Sequence, residues 1–242
     1  MIQIVKVKDR DEGNLRAHEI LQKVVDSRTL LALSGGTSPD YRVMLATTEG
    51  TENATTEGTE LGYESTKESV IPGAVCVVDE RWGVRKHSDS NEYLMEKAGL
   101  VEYLKSRKIG FHNIQWHGDF ASDVCDYDGL VRKLFEKFPK KVGVMGIGTN
   151  LHTAGIFPNS AAVHSPNYVV GVEVDDKFPK RITMTLKALG EFDNFIILAF
   201  GGEKRAALLR LFNEGEGDMQ SYPAIFYRKA KIKSYLITDQ SF

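Results

Sequence analysis

Thr29-Leu30-Leu31-Ala32-Leu33-Ser34-Gly35-Gly36-Thr37-Ser38-Pro39 reads as a strand, a glycine turn and a helix start in close succession. The run 29–33 is apolar without alternation, the pattern of a strand covered on both faces. Gly35 and Gly36 stop it, and Pro39 suits the first turn of a helix running to about residue 46. The same grammar recurs. Residues 74–78 are apolar and end at Asp79-Glu80-Arg81, and residues 142–145 are apolar and end at Gly146-Ile147-Gly148. Further strands are expected at 2–7, 113–116, 169–174, 182–185, 195–200 and 232–237. Helices are expected up to residue 27, from about 89, through 124–138 and over 202–212. The first has Leu15, Ile20, Leu21 and Val24 on its inner face, and Ser38 is the candidate cap for the helix after the glycine turn. Strands alternating with helices predict an α/β fold, a single Rossmann-like domain over 1–242 with a largely parallel sheet flanked by helices.

Composition agrees with a folded chain. Of 242 residues, 42% are hydrophobic, and 31 Lys and Arg stand against 33 Asp and Glu for a net charge of −2. No basic field advertises nucleic acid. No apolar run reaches the ~18 residues that a membrane helix needs. The amino-terminal residues are too mixed for a signal peptide and read as a strand, so a cytoplasmic location is expected. Two cysteines, Cys76 and Cys125, make neither a disulfide framework nor a zinc site, and no metal-ligand spacing of histidines occurs. The seven residues 46–52 recur identically at 54–60, an acidic Thr/Gly-rich pair read as an exposed loop or helix extension. It contains the one Asn-x-Thr sequon, at Asn53.

In an open parallel sheet, ligands bind beyond the carboxyl ends of the strands. Three polar loops directly follow expected strands, 34–38, 79–91 and 146–158, and parallel strands bring all three to one edge. Gly35 and Gly36 let backbone N–H groups approach an anion, and the hydroxyls of Ser34, Thr37 and Ser38 can donate to it. Arg81 can clamp a phosphate by a forked pair of hydrogen bonds, while Asp79 can meet sugar hydroxyls or move a proton. His152 follows Gly146 and Gly148 on the loop side of its strand, and an ordinary imidazole is largely neutral at pH 7 and able to take a proton from water. The other five histidines, including His18 and His87, read as surface or structural.

Five segments in order resemble the 6-phosphogluconolactonase family, which groups with the glucosamine-6-phosphate deaminases. Leu33 to Pro39 is similar to the family's Ser-Gly-Gly-Ser/Thr-Thr/Ser-Pro loop. Asp79-Glu80-Arg81-Trp82 with Asp89-Ser90-Asn91 is similar to its Asp-Glu-Arg…Asp-Ser-Asn segment. Gly146 to Pro158 is similar to its Gly-x-Gly-x-Asp-Gly-His-Thr-Ala-Ser-Leu-Phe-Pro signature. Pro179-Lys180-Arg181-Ile182-Thr183-Met184-Thr185 is similar to its Pro-Arg-Ile-Thr-x-Thr strand, with Lys180 inserted, and Gly201-Gly202-Glu203-Lys204 to its Gly-x-x-Lys helix start.

The resemblance implies hydrolysis of 6-phosphoglucono-δ-lactone to 6-phosphogluconate in the pentose phosphate pathway, with no metal or cofactor and a sugar phosphate as partner. It makes His152 the general base, with Asn150 and Asp79 beside it in the catalytic set. It places Arg81, Arg181 and Lys204 near the substrate phosphate, together with Ser34, Gly35, Gly36 and Thr37, and with Asn91 and Gly148 lining the site. The deaminase branch carries a carboxylate five residues after its histidine, where this chain has Phe157, and an apolar ring moves no protons. Two departures stand in the signature itself. The family's Asp is Asn150, which orients an imidazole without stabilising its cation, and its Gly is Leu151, at a position free to take positive φ. A sugar-phosphate binder without catalysis is the alternative these departures leave open.

Overall fold

A computed structural model describes residues 1–45 and 69–242; the repeat at 46–60 and its sequon lie outside the described residues. Among the described residues, ten strands form two sheets: β1 (Ile2–Lys6), β2 (Thr29–Leu33), β3 (Ala74–Val77), β4 (Asp79–Arg81), β5 (Gly110–His112), β6 (Lys140–Gly146), β7 (Val169–Glu173), β8 (Lys180–Met184), β9 (Asn194–Ala199) and β10 (Lys233–Thr238). Seven make a parallel sheet in the order β1-β10-β9-β6-β2-β3-β5. Every residue of β2 is buried, as its unbroken apolar run requires. Each of Leu30, Leu31 and Leu33 contributes about 1.5–3 kcal/mol by that burial.

The chain runs outward from β2 through β3 to β5. It then crosses back to lay β6 on the other side of β2 and continues outward to β9 and β10. Strand order therefore reverses between β2 and β6, and at such a reversal the loops part to leave a crevice. Leu33 lies opposite both Val77 and Val144, so the carboxyl ends of these three strands are level.

The remaining strands form a small antiparallel sheet, β4-β8-β7. This corrects the reading of 79–91 as loop alone, and it places two of the expected later strands, β7 and β8, outside the parallel sheet. Val78 is the pivot. Its N–H donates to Leu33 O at 2.8 Å, and its carbonyl accepts from Met184 N at 2.9 Å. One residue thus belongs to both sheets and swings Asp79–Arg81 out over the crevice. The helix Phe120–Lys137, capped by Asp119 at Ser122 N (2.8 Å), packs on β7. Trp82 stacks on Trp116 with ring centres 6.0 Å apart, and its Nε1 donates to Asp123 at 2.7 Å.

Three local expectations are corrected. The strand expected at 113–116 is Gly110–His112, because those residues meet Ala74–Cys76 across the sheet. The helix after Pro39 is Tyr41–Leu45, capped by the Asp40 side chain on Arg42 N and Val43 N rather than by Ser38. The helix Arg10–Val24 turns Asn14, Ala17, His18 and Leu21 inward and leaves Leu15 exposed. Its polar inner residues have partners: His18 Nδ1 meets Met44 O at 3.0 Å.

Candidate active site

A cleft of about 230 Å³ opens where the strand order reverses. The loops after β2, β3 and β6 line it, as the parallel arrangement demands, and the loop after β9 adds a fourth wall. Ser34, Gly35, Gly36, Thr37, Asp79, Arg81, Asn91, Gly148, His152 and Lys204 all face it. Two residues of the expected set do not. Asn150 stands behind His152, and Arg181 sits beside Arg81 in the small sheet, 3% exposed.

The 34–38 loop is held from behind. Ser34 N extends the ladder to Val144 O at 3.0 Å, and the buried Tyr41 hydroxyl donates to Ser34 O. Asn14 Nδ2 donates to Ser38 O (3.2 Å) while its Oδ1 accepts from Asp40 N (2.7 Å), and Arg10 donates to Thr37 O (3.1 Å). No acceptor among the described residues takes the backbone N–H of Gly35, Gly36 or Thr37. Gly36, at φ +102°, adopts the backbone that favours glycine. The turn thus presents donors to the cleft and spends its carbonyls on the scaffold, an arrangement suited to an anion.

Glu80, which sequence reasoning passed over, organises the second wall. Its carboxylate accepts from Arg81 N, Asn91 N and Glu92 N, each at 2.8 Å, and from the Ser90 hydroxyl at 3.1 Å. A buried carboxylate at the first turn of the helix Asn91–Lys97 answers its unpaired N–H groups and positive end. Burial still raises the Glu80 carboxyl against those bonds. Asn91 then donates to Asp79 O (2.7 Å) and accepts from Arg81 Nη1 (2.5 Å), which aims the guanidinium. A Cβ on Gly35 would stand 1.7 Å from Asn91 Oδ1, so only glycine fits there. Burial raises the Asp79 carboxyl, and Arg81 and Arg181 pull it back.

His152 is set by its neighbours in the third loop. Asn150 Oδ1 meets His152 Nδ1 at 2.6 Å and also accepts His152 N–H at 3.1 Å. A backbone N–H only donates, so the oxygen of the amide faces the histidine and Nδ1 carries the ring proton. Nε2 is left with its lone pair. The ring lies on Phe157, centres 4.5 Å apart and planes 16° off parallel, and a Cβ on Gly148 would stand 2.1 Å from its atoms. Leu151 takes φ +62° with its side chain buried. Burial lowers the His152 pKa to about 4, helped by the charges of Lys204, Arg181 and Arg81. Lys204 reaches the cleft from the turn Gly202–Lys204, which follows β9.

Among the described residues, no group of three or more His, Cys, Asp or Glu is placed to hold a metal ion, and no helix is long and apolar enough to cross a membrane.

The family model for glucosamine-6-phosphate isomerases and 6-phosphogluconolactonase matches residues 14–236. The chain belongs to this family. Among its relatives is a protein named 6-phosphogluconolactonase from Nostoc sp., 27% identical over 154 residues, a match covering 61% of this chain and 63% of that one, under two thirds of its length. The 6-phosphogluconolactonase structure from Plasmodium vivax superposes with TM-score 0.74 at 18% identity, covering 100% of this chain and 90% of that one. A monomeric glucosamine-6-phosphate deaminase superposes almost as well, with TM-score 0.73 at 17% identity over 98% and 96% of the two chains. Both branches of the family therefore share this fold, and the backbone alone does not choose between them.

Proposed function

We propose that the protein hydrolyses 6-phosphoglucono-δ-lactone to 6-phosphogluconate, as a cytoplasmic enzyme of the pentose phosphate pathway. The observation that carries this reading is the His152 pair. An imidazole with Nδ1–H held by Asn150 and a bare Nε2 is a general base already in its working tautomer. Phe157 stacked on that base fills the position where deaminases carry a carboxylate, which favours lactone opening over amine loss.

In this reading, His152 Nε2 takes a proton from water as the water oxygen bonds to the lactone carbonyl carbon. A nearby cation stabilises the oxyanion, since the backbone N–H groups of Gly148 and His152 are already taken by His152 O and Asn150 Oδ1. The bond to the ring oxygen then breaks, and that oxygen leaves with the proton returned from His152. Arg81, Lys204 and the donors of the 34–38 loop hold the phosphate and fix the ring against the base. Arg181 adds positive charge from behind Arg81. Asp79 meets the sugar hydroxyls from the floor of the cleft.

The test is hydrolysis of fresh 6-phosphoglucono-δ-lactone by wild type and His152→Ala, each against an enzyme-free blank, since the lactone also opens unaided. A wild-type rate well above blank that vanishes in the variant supports the reading. A wild-type rate equal to blank refutes it.

A further inference from the structure

The turn between β7 and β8 carries three residues that reach away from it in different directions. Asp176 accepts from Arg181 Nη2 at 2.5 Å. Lys177 Nζ bonds Asp89 at 3.0 Å, and Phe178 stacks on His87 with ring centres 3.8 Å apart. The last two contacts fasten the turn to the segment that follows β4. The first engages one of the two arginines beside the cleft.

The arginines have an unusual placement. Arg81 and Arg181 are directly opposite in the β4–β8 register, so two like charges stand side by side. The Arg81 guanidinium faces the cleft and, among the described residues, bonds only the neutral Asn91 side chain. Arg181 is 3% exposed, and its Nε is buried without a hydrogen-bond partner among the described residues. A buried guanidinium with an unanswered N–H is costly unless an anion completes it. Asp176, by contrast, is half exposed, so water screens its hold on Arg181.

We propose that Asp176 is a resident counter-ion that neutralises Arg181 and so weakens the pull of the Arg81–Arg181 pair on the phosphate of the incoming ligand. This rests on the sugar-phosphate reading above and adds to it a residue that sets anion affinity without touching the sugar. The proposal has an uncommon sign. Removing a side chain that braces a site weakens binding, but removing a competitor strengthens it. Removing Asp176 also leaves the paired arginines with one negative charge fewer, which adds to the pull on an anion.

Titration calorimetry of the full chain with 6-phosphogluconate, and separately with inorganic phosphate, tests this. Asp176→Asn is expected to bind both roughly two- to fivefold more tightly than wild type, the range a partly exposed ion pair allows. Asp176→Glu, which keeps the carboxylate, should return towards wild-type affinity. Lys177→Gln loosens the turn but frees no arginine and should leave affinity unchanged. Unchanged or weaker binding by Asp176→Asn overturns the counter-ion role and leaves the sugar-phosphate reading standing. Failure of wild type to bind either ligand overturns both.

Discussion

Asn150 Oδ1 serves His152 twice, taking its backbone N–H at 3.1 Å and standing 2.6 Å from its ring Nδ1. The backbone bond pins the amide so that its oxygen, not its nitrogen, faces the imidazole. An amide held this way does the orienting work of a carboxylate but supplies no charge.

Asn150→Asp therefore keeps the geometry and adds a charge. An opposite charge beside the imidazole favours its protonated form, so His152 becomes a stronger base. Lactonase kcat at pH 7 should rise on the order of tenfold. The ~10⁴ at stake for a comparable exchange in serine proteases is not expected, since that loss includes a wrong tautomer and here the tautomer is already held. A lower rate in stopped-flow or pH-stat assays would show that the site works only with the neutral amide.

The pH profile follows from the low pKa of His152. Above about pH 4 the ring is uncharged and able to act as base; below it, the ring holds a proton and the rate falls. The acid limb of kcat/KM should lie near pH 4, not near the 6.5 of a free imidazole. Lys204→Met removes the largest charge that opposes protonation, so the limb should move to higher pH. A limb unmoved by this substitution would exclude Lys204 as the cause.

Two adjacent glycines should respond differently. Gly35→Ala drives a methyl to within 1.7 Å of Asn91 Oδ1 and must displace the residue that aims Arg81. KM for the lactone should rise roughly tenfold, about what one lost charge-assisted bond costs. Gly36→Ala meets no atom within 4 Å and bears only the cost of φ +102°, about 1 kcal/mol, read in stability rather than in KM. Equal KM values for the two variants would contradict the assignment.

Leu151→Gly sets two terms against each other. Glycine relieves the left-handed backbone at φ +62°, worth about 1–2 kcal/mol. It also empties a buried leucine site, at about 2–5 kcal/mol. At central values the cavity wins, so urea unfolding should show a net loss of up to about 4 kcal/mol. A gain would mean that the surrounding core closes over the gap.

The parallel sheet was legible because each buried strand is a short apolar run that ends in a polar loop. The meeting of loops 34–38, 79–91 and 146–158 followed from strand direction alone, and ten of the twelve expected site residues line the cleft. The small sheet was not legible. β4 is Asp79-Glu80-Arg81, three charged residues whose strand partner lies about a hundred positions away, and neither apolar run nor alternation marks it. The inner face of the first helix was misread for a related reason. Asn14 and His18 are buried because they bond backbone groups of the 34–45 segment, a demand set by tertiary structure rather than by hydrophobicity. Asp176 has no local signature, because its partner is defined only once β7 and β8 pair.

The stack of Trp82 on Trp116 gives the protein a built-in optical reporter. These are the two tryptophans of the chain, and Trp82 is the next residue after Arg81. Intrinsic emission therefore originates from one corner of the molecule, a single peptide unit from a guanidinium that faces the cleft. Ligand occupancy can be followed there by fluorescence, without a dye or an engineered label, at concentrations far below those calorimetry needs.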